Sequence, residues 1–336
     1  MGARIESVDF VRSGSGLLRK GSIKLAVQAA LGCLKKADMP PNEVDLLINT
    51  GIYRDENIGE PAIASLIQQG IKANPGVKED GQGTFSFDLA NGGCGLVTAM
   101  NIVHNLMESE DIDVGLVVTS DADPVPGTSE GYEFVPAGAA VLLEPSDTEE
   151  GFVGFKSETY PKYEDMFESR VVFIGDKERP KGRNILRISE RKAYMARCVD
   201  CAQKSVEAFI EKAGLDLKAL DLIITSQTPV GFPRKFRVRM GLRKSRVVDI
   251  SEEYGPLHTA GPAAALDAAI EDGRFARAER VLFVTVGAGI TVSLALYHKE
   301  REEEVDQEGL AVEEGEEDEL VGMLEEDEKD EDGSEG

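Results

Sequence analysis

The chain of 336 residues has no tryptophan, three histidines and four cysteines. Each scarcity excludes something. Four scattered cysteines in a chain this long do not make the disulfide framework of a small secreted scaffold, and they fit a reducing cytoplasm. A zinc site needs about four ligands. Cys198 and Cys201 have C-x-x-C spacing but no second pair of ligands, so no metal is expected and they read as helix residues. There is no apolar run of the roughly 18 residues that a transmembrane helix needs, so none is expected. The N-terminus has no basic stretch followed by an apolar run, which argues against a secretory leader. Net positive charge is also lacking, the total being −25. Residues 300–336 carry 20 acidic and 2 basic residues, and so supply −18 of it. Such a segment repels itself and has little to bury, so it is expected to be a disordered acidic tail. It would also repel phosphate, which argues against nucleic-acid binding. The rest has the composition of a soluble globular protein.

What the sequence does have is organised around residues 84–107, TFSFDLANGGCGLVTAMNIVHNLM. The stretch begins with strand-like alternation and ends at Asp88 and Leu89. A turn of small residues, Asn91-Gly92-Gly93, leads to Cys94. From there Leu96, Val97, Met100, Val103, Leu106 and Met107 mark one face of a helix. Cys94 therefore sits where a strand hands over to a buried helix. A helix N-terminus favours a thiolate, so the position suits a nucleophile. It equally suits a small buried hydrophobe.

Other strands are expected at 4–11, 44–48, 114–120, 138–143 and 281–285, and helices at 22–37 and 64–71. Residues 121–135 read as a loop. The second half repeats the first. Residues 213–226 (AGLDLKALDLIITS) lie over 37–50 (ADMPPNEVDLLINT) without a gap, and 247–250 (VVDI) match 86–89 (SFDL). Such self-similarity signals a duplicated unit, and strands alternating with helices imply a layered α/β fold. The expected division is an N-terminal half at 1–155, a C-terminal half at 156–299 and the tail at 300–336. Cys94 would lie near the seam between the halves.

The Cys after Asp-Leu-Ala-Asn-Gly-Gly, the duplication, and Val286–Ser293 (VGAGITVS, similar to FGAGLTWG) resemble the thiolase superfamily. The resemblance is greatest to β-ketoacyl-acyl-carrier-protein synthase III. Residues 50–62 (TGIYRDENIGEPA) and 87–100 also resemble the head-to-head acyl-CoA condensing enzymes of olefin biosynthesis. The resemblance covers residues 1–298. It implies a duplicated αβαβα fold, a cytoplasmic homodimer, and thioesters of coenzyme A or acyl carrier protein as substrates, with no cofactor.

The resemblance also assigns site residues. Synthase III enzymes use Cys, His and Asn. Cys94 matches the first. The His motif, similar to HQAN, falls on residues 224–229 (ITSQTP), where no histidine occurs. Anchoring on the proline puts Gln227 there, and anchoring on strand length puts Ser226 there. His258 occupies the Asn position, in a stretch similar to the GHPxG and GHTLG motifs of thiolases and elongating synthases. It is read as hydrogen-bonding the thiolate or serving as general base. The N–H groups of Cys94 and Ala288 would form the oxyanion hole. Glu60, before Pro61, matches a Glu that reaches into the partner's site in the olefin-pathway enzymes. It reads equally as an exposed loop acid. Gln227 can donate a hydrogen bond but cannot shuttle a proton, which counts against decarboxylation of malonyl thioesters. His104 reads as a structural helix residue, and His298 receives no role. Residues 287–289 are followed by a strand rather than a helix, which argues against a dinucleotide loop.

Residues 234–246 (RKFRVRMGLRKSR) follow the expected active-site loop. Arg234, Lys235, Arg237, Arg239 and Arg243 suit docking of coenzyme A or an acidic carrier protein. Any tryptophan on which relatives stack adenine is missing. Two functional classes follow: an acyltransferase or condensing enzyme, and a non-catalytic subunit that binds acyl thioesters and pairs with an active paralogue. The tail is expected to compete for the basic patch. Deleting residues 300–336 should leave the thermal midpoint unchanged and tighten carrier-protein binding, most visibly at low salt. Loss of the folded state would contradict the disorder, and unchanged affinity would contradict the masking.

Overall fold

Strand segments that are apolar on both faces need cover on both sides, and two sheets are covered here by three layers of helix. The computed structural model describes residues 2–14, 19–74, 83–175 and 182–300. The acidic segment from residue 301 onward, together with the masking assigned to it, lies outside the described residues.

The first sheet contains β1 (Ala3–Arg12), β2 (Leu46–Asn49), β3 (Phe85–Asp88), β4 (Gly115–Asp121) and β5 (Ala137–Pro145), in the order β1-β5-β4-β2-β3. The chain continues through β6 (Gly151–Thr159) and a separate hairpin of β7 (Phe167–Ile174) and β8 (Arg183–Glu190). It then forms β9 (Leu222–Thr225), β10 (Val247–Val248), β11 (Arg280–Gly287) and β12 (Thr291–His298). The second sheet runs β6-β12-β11-β9-β10. The two sheets match strand for strand. In each, the first two pairings are antiparallel and the last two parallel. The duplication legible in residues 37–50 and 213–226 is therefore present in the topology. The chain passes from one sheet to the other between Pro145 and Gly151.

The helices are α1 (Ser22–Lys36), α2 (Ile63–Ile71), α3 (Gly95–Glu108), α4 (Tyr194–Lys212), α5 (Phe232–Arg239), α6 (Ser251–Tyr254), α7 (Gly261–Glu271) and α8 (Arg274–Arg277). Side-chain alternation sorts them into layers. Leu46, Ile48, Val117, Leu222, Ile224 and Phe283 point into a central cluster with α3 and α7. Leu47, Leu116 and Val118 face α1 and α2 on one outer side. Ile223, Leu282 and Val284 face α4 and α5 on the other. This is the αβαβα arrangement. On α3, Leu96, Val97, Met100, Val103 and Met107 are buried as the helical spacing predicts, each contributing roughly 1.5–3 kcal/mol. An ion cluster also ties the halves together. Lys36 Nζ lies 2.9 Å from Asp9 Oδ1 and 2.9 Å from Asp267 Oδ1 on α7.

Two differences from the sequence reading bear on the site. The strand expected to stop at residue 120 runs one residue further, so Asp121 belongs to β4 rather than to the loop. The sequence pattern also signals no hairpin at β7 and β8. Most residues of β7 are exposed, so burial imposes no alternation there for a pattern to detect.

Candidate active site

Cys94 closes a 3-10 turn, Gly92–Cys94, and is the N-cap residue of α3. Glycine is required at this turn. Gly92 has φ +49°, and a Cβ on Gly93 would lie 2.3 Å from the Val286 carbonyl oxygen, closer than any side chain tolerates. A Cβ on Gly287 would come within 3.5 Å of Cys94 Sγ. The turn from the first half is thus pressed against β11 of the second.

The cysteine is fully buried. Its Sγ donates toward Thr291 O at 3.3 Å and Thr285 O at 3.5 Å. Burial pushes the thiol up to about 11, and hydrogen bonding from Ser293 and Thr285 offsets this only in part. Here the structure departs from the expected thiolate. Loss of water around Sγ outweighs the helix N-terminus, so Cys94 rests as a protonated thiol.

A cavity of about 450 Å³ opens beside the turn. Gly92, Gly93, Val286, Gly287 and Ala288 form one wall. Ile52, Tyr53, Phe134 and His258 form another, and Phe167, Glu168, Ser169 and Glu190 of the hairpin, with Tyr194, complete it. His258 packs against the stacked rings of Tyr53 and Phe134, with centroids at 4.9 and 4.7 Å. Its Nδ1 is 3.1 Å from Asp121 Oδ2. Asp121 also accepts from the backbone N–H groups of Ile52, Tyr53 and Thr259 and from the Thr259 hydroxyl. Burial alone would raise the pKa of this carboxyl. The charge and hydrogen bond of His258, with the Thr259 and Tyr53 bonds, hold it instead at about 2.

Gln227 is placed differently from its sequence assignment. Its side chain is fully buried and committed to backbone. Nε2 donates to Thr225 O at 3.0 Å and Val248 O at 3.1 Å, and Oε1 accepts from Ile250 N at 3.1 Å. It does not line the cavity, whereas the next residues, Thr228 and Pro229, do. Ser226, the other alignment, accepts from Val286 N at 3.0 Å. Both candidates for the missing histidine therefore bind backbone. Of the two oxyanion donors, Ala288 is exposed on the cavity wall. The Cys94 N–H instead donates to Asn91 O at 3.0 Å, so it is not free to serve as drawn from the resemblance.

Glu60 is exposed and lines no part of this cavity. It precedes α2, whose first amides, Ile63 N and Ala64 N, are held by Asp88 at the end of β3. Arg234 and Lys235 are exposed on α5, just after Pro229. Arg239 pairs with Asp200 at 2.6 Å, Arg237 donates to Leu242 O, and Arg243 is exposed. The patch is a solvated face next to the cavity. His104 accepts from Ala3 N and is structural. Cys198 and Cys201 are buried on α4.

The family model for 3-oxoacyl-[acyl-carrier-protein (ACP)] synthase III C terminal matches residues 210–299, the segment holding His258 and Ala288. The chain is 24% identical over 273 residues to β-ketoacyl-[acyl-carrier-protein] synthase III of Listeria welshimeri, covering 80% of each chain. It is 25% identical over 293 residues to the acyl-CoA:acyl-CoA alkyltransferase of Xanthomonas campestris, again covering 80% of each. Among solved structures, the synthase III of Pseudomonas aeruginosa superposes with a TM-score of 0.73 at 18% identity, over 89% of this chain and 98% of that one. Xanthomonas campestris OleA with bound lauric acid and lauroyl-CoA gives 0.72 at 18% identity, over 89% and 99%. The chain shares the thiolase-like fold of these synthase III and OleA structures. Relative to the synthase III pattern, the chain has the cysteine turn and the Gly-rich strand, with His258 at the Asn position and no histidine at residues 224–229.

The commitment of Gln227 leads to a prediction. Gln227→Leu leaves two carbonyls and one N–H buried without partners, at about 1–3 kcal/mol each. Denaturant unfolding should show a loss of several kcal/mol. Unchanged stability would mean that the amide is free for another role.

Proposed function

We propose that the chain is a condensing acyltransferase. It takes an acyl group from a coenzyme A or carrier-protein thioester onto Cys94, and passes it to a second thioester-derived carbanion or another nucleophile. One observation carries this reading. Cys94 stands at the N-terminus of α3, directly behind the Gly93 and Gly287 wall of the cavity that His258 also lines. The relatives named as synthase III and as acyl-CoA:acyl-CoA alkyltransferase support it.

In the reaction the Cys94 side chain turns from the Thr285 and Thr291 carbonyls toward the cavity and gives up its proton. The sulfur attacks the thioester carbonyl carbon, and the oxygen gains charge near the Ala288 N–H. The carrier's C–S bond breaks, and the thiol leaves with a proton. With Gln227 and Ser226 bound to backbone, His258 alone remains at the cavity from the pair that would hold an enolate oxygen. Each 1.36 kcal/mol lost there is about tenfold in rate, so decarboxylation of a malonyl thioester should be slow.

A homodimer fits the first sheet, whose edge strand β3 exposes Phe85 at 66%. An unpaired edge of this kind invites strand pairing. Glu60, next to that edge, would then act in the partner's cavity. Arg234, Lys235, Arg237, Arg239 and Arg243 are the groups suited to an acidic carrier or to coenzyme A phosphates. The second reading, an accessory subunit, draws on the buried, protonated Cys94 and the missing histidine. Intact-protein mass spectrometry with a panel of acyl-CoAs separates the two. Wild type should gain one acyl mass, Cys94→Ala none, and malonyl-CoA should be turned over slowly. Loading that survives Cys94→Ala would overturn the assignment, and no loading by any acyl donor would favour the accessory role.

A further inference from the structure

We propose that Asp121 is a positioning residue that fixes His258 as the proton acceptor for Cys94, so that the site works as a Cys–His–Asp triad assembled across the two halves. The inference deepens the acyltransferase reading and rests on it for the role of Cys94. The state of His258 itself can be examined without any substrate.

Both carboxylate oxygens of Asp121 accept hydrogen bonds. Oδ1 takes the Ile52 and Tyr53 amides at 3.0 and 2.7 Å. Oδ2 takes the Thr259 amide at 2.9 Å and the Thr259 hydroxyl, and lies 3.1 Å from His258 Nδ1. The Thr259 hydroxyl in turn accepts from Thr119 on β4. Every other contact of the carboxylate is a donor, so it must be ionised and fully accepting. Its low pKa agrees. An ionised acceptor at Nδ1 requires that nitrogen to carry the proton. In the neutral ring, Nε2 is then left with its lone pair. The ring also packs against Tyr53 and Phe134, with centroids at 4.9 and 4.7 Å.

This arrangement suits a thiol that rests protonated. The Cys94 proton passes to His258 Nε2, Asp121 stabilises the resulting imidazolium, and the leaving thiolate takes the proton back as the carrier C–S bond breaks. The proton count closes and no further reagent is needed. The same polarity makes His258 an acceptor rather than a donor in its neutral form, which again disfavours holding a malonyl-derived enolate. Other titratable groups around the ring are Tyr53 on its face, Tyr132 against Tyr53, Glu168, Glu190 and Tyr194 on the cavity wall, and Glu133 beside Glu190. Asp121 is the one of these groups hydrogen-bonded to the ring.

The chain has three histidines, so a ring-nitrogen NMR spectrum of protein labelled with 15N-histidine is simple to assign with a His258→Gln control. At a pH where the ring is neutral, His258 should show the proton on Nδ1. A proton on Nε2 would overturn the proposal whether or not Cys94 is ever acylated. Asp121→Asn should move the proton to Nε2, and acyl loading in single turnover should fall by about 100-fold or more. Asp121→Glu should recover part of that rate. A folded Asp121→Asn protein that loads at the wild-type rate would overturn the proposal. If that variant does not fold, the wild-type spectrum still decides.

Discussion

The site depends on a close approach of two backbones. The Gly93 Cα faces the Val286 carbonyl so tightly that a Cβ would sit 2.3 Å from the oxygen. Any side chain there would separate the cysteine turn from β11, and with it the first half from the second. Gly287, the next residue of β11, completes the contact beside Cys94 Sγ. Packing of this kind tolerates no added atom, because interiors are close-packed and relax only partly. The same contact makes Cys94 dry, and dryness makes its thiol reluctant to ionise. The proposed acyl transfer must therefore recruit a base at the moment of reaction rather than rely on a standing thiolate.

In that proposal the duplication explains where the base comes from. The matched helices α3 and α7 both begin at the cavity. Cys94 immediately precedes one, and His258 stands three residues before the other. The matched strands β4 and β11 also end there. The end of β4 brings Asp121 to the histidine of the second half, and the end of β11 brings Thr285 and Gly287 to the cysteine of the first. Each half thus supports the residue that the other contributes to the proposed reaction. A site divided in this way forms only when both sheets clamp the central helices. The central apolar cluster and the Lys36 bridge between Asp9 and Asp267 hold them together.

The strand–turn–helix around Cys94 was legible because its period changes sharply from two to 3.6 at a glycine turn. The duplication was legible because residues 37–50 and 213–226 align without a gap. Asp121 was not legible. It opens an acid-rich stretch in the sequence, and its partner His258 is 137 residues away. Its one local signal is an acid ending an apolar strand that is buried throughout, where an ionised group needs dedicated donors. Gln227 was misplaced by aligning along the chain without regard to side-chain direction. The backbone turns the amide inward, and Thr228 and Pro229 take the cavity wall. The hairpin of β7 and β8 escaped because its exposed faces impose no pattern.

The central claim is that the seam between the halves is where the acyl group is carried. A crystal structure of protein trapped after reaction with a saturated acyl-CoA tests it most directly. The account predicts a thioester on Cys94, its sulfur turned from the Thr285 and Thr291 carbonyls, with the acyl carbonyl in the cavity bounded by Gly93, His258 and Ala288. An acyl group on any other residue, or a reacted Cys94 whose acyl chain lies outside that cavity, would contradict it.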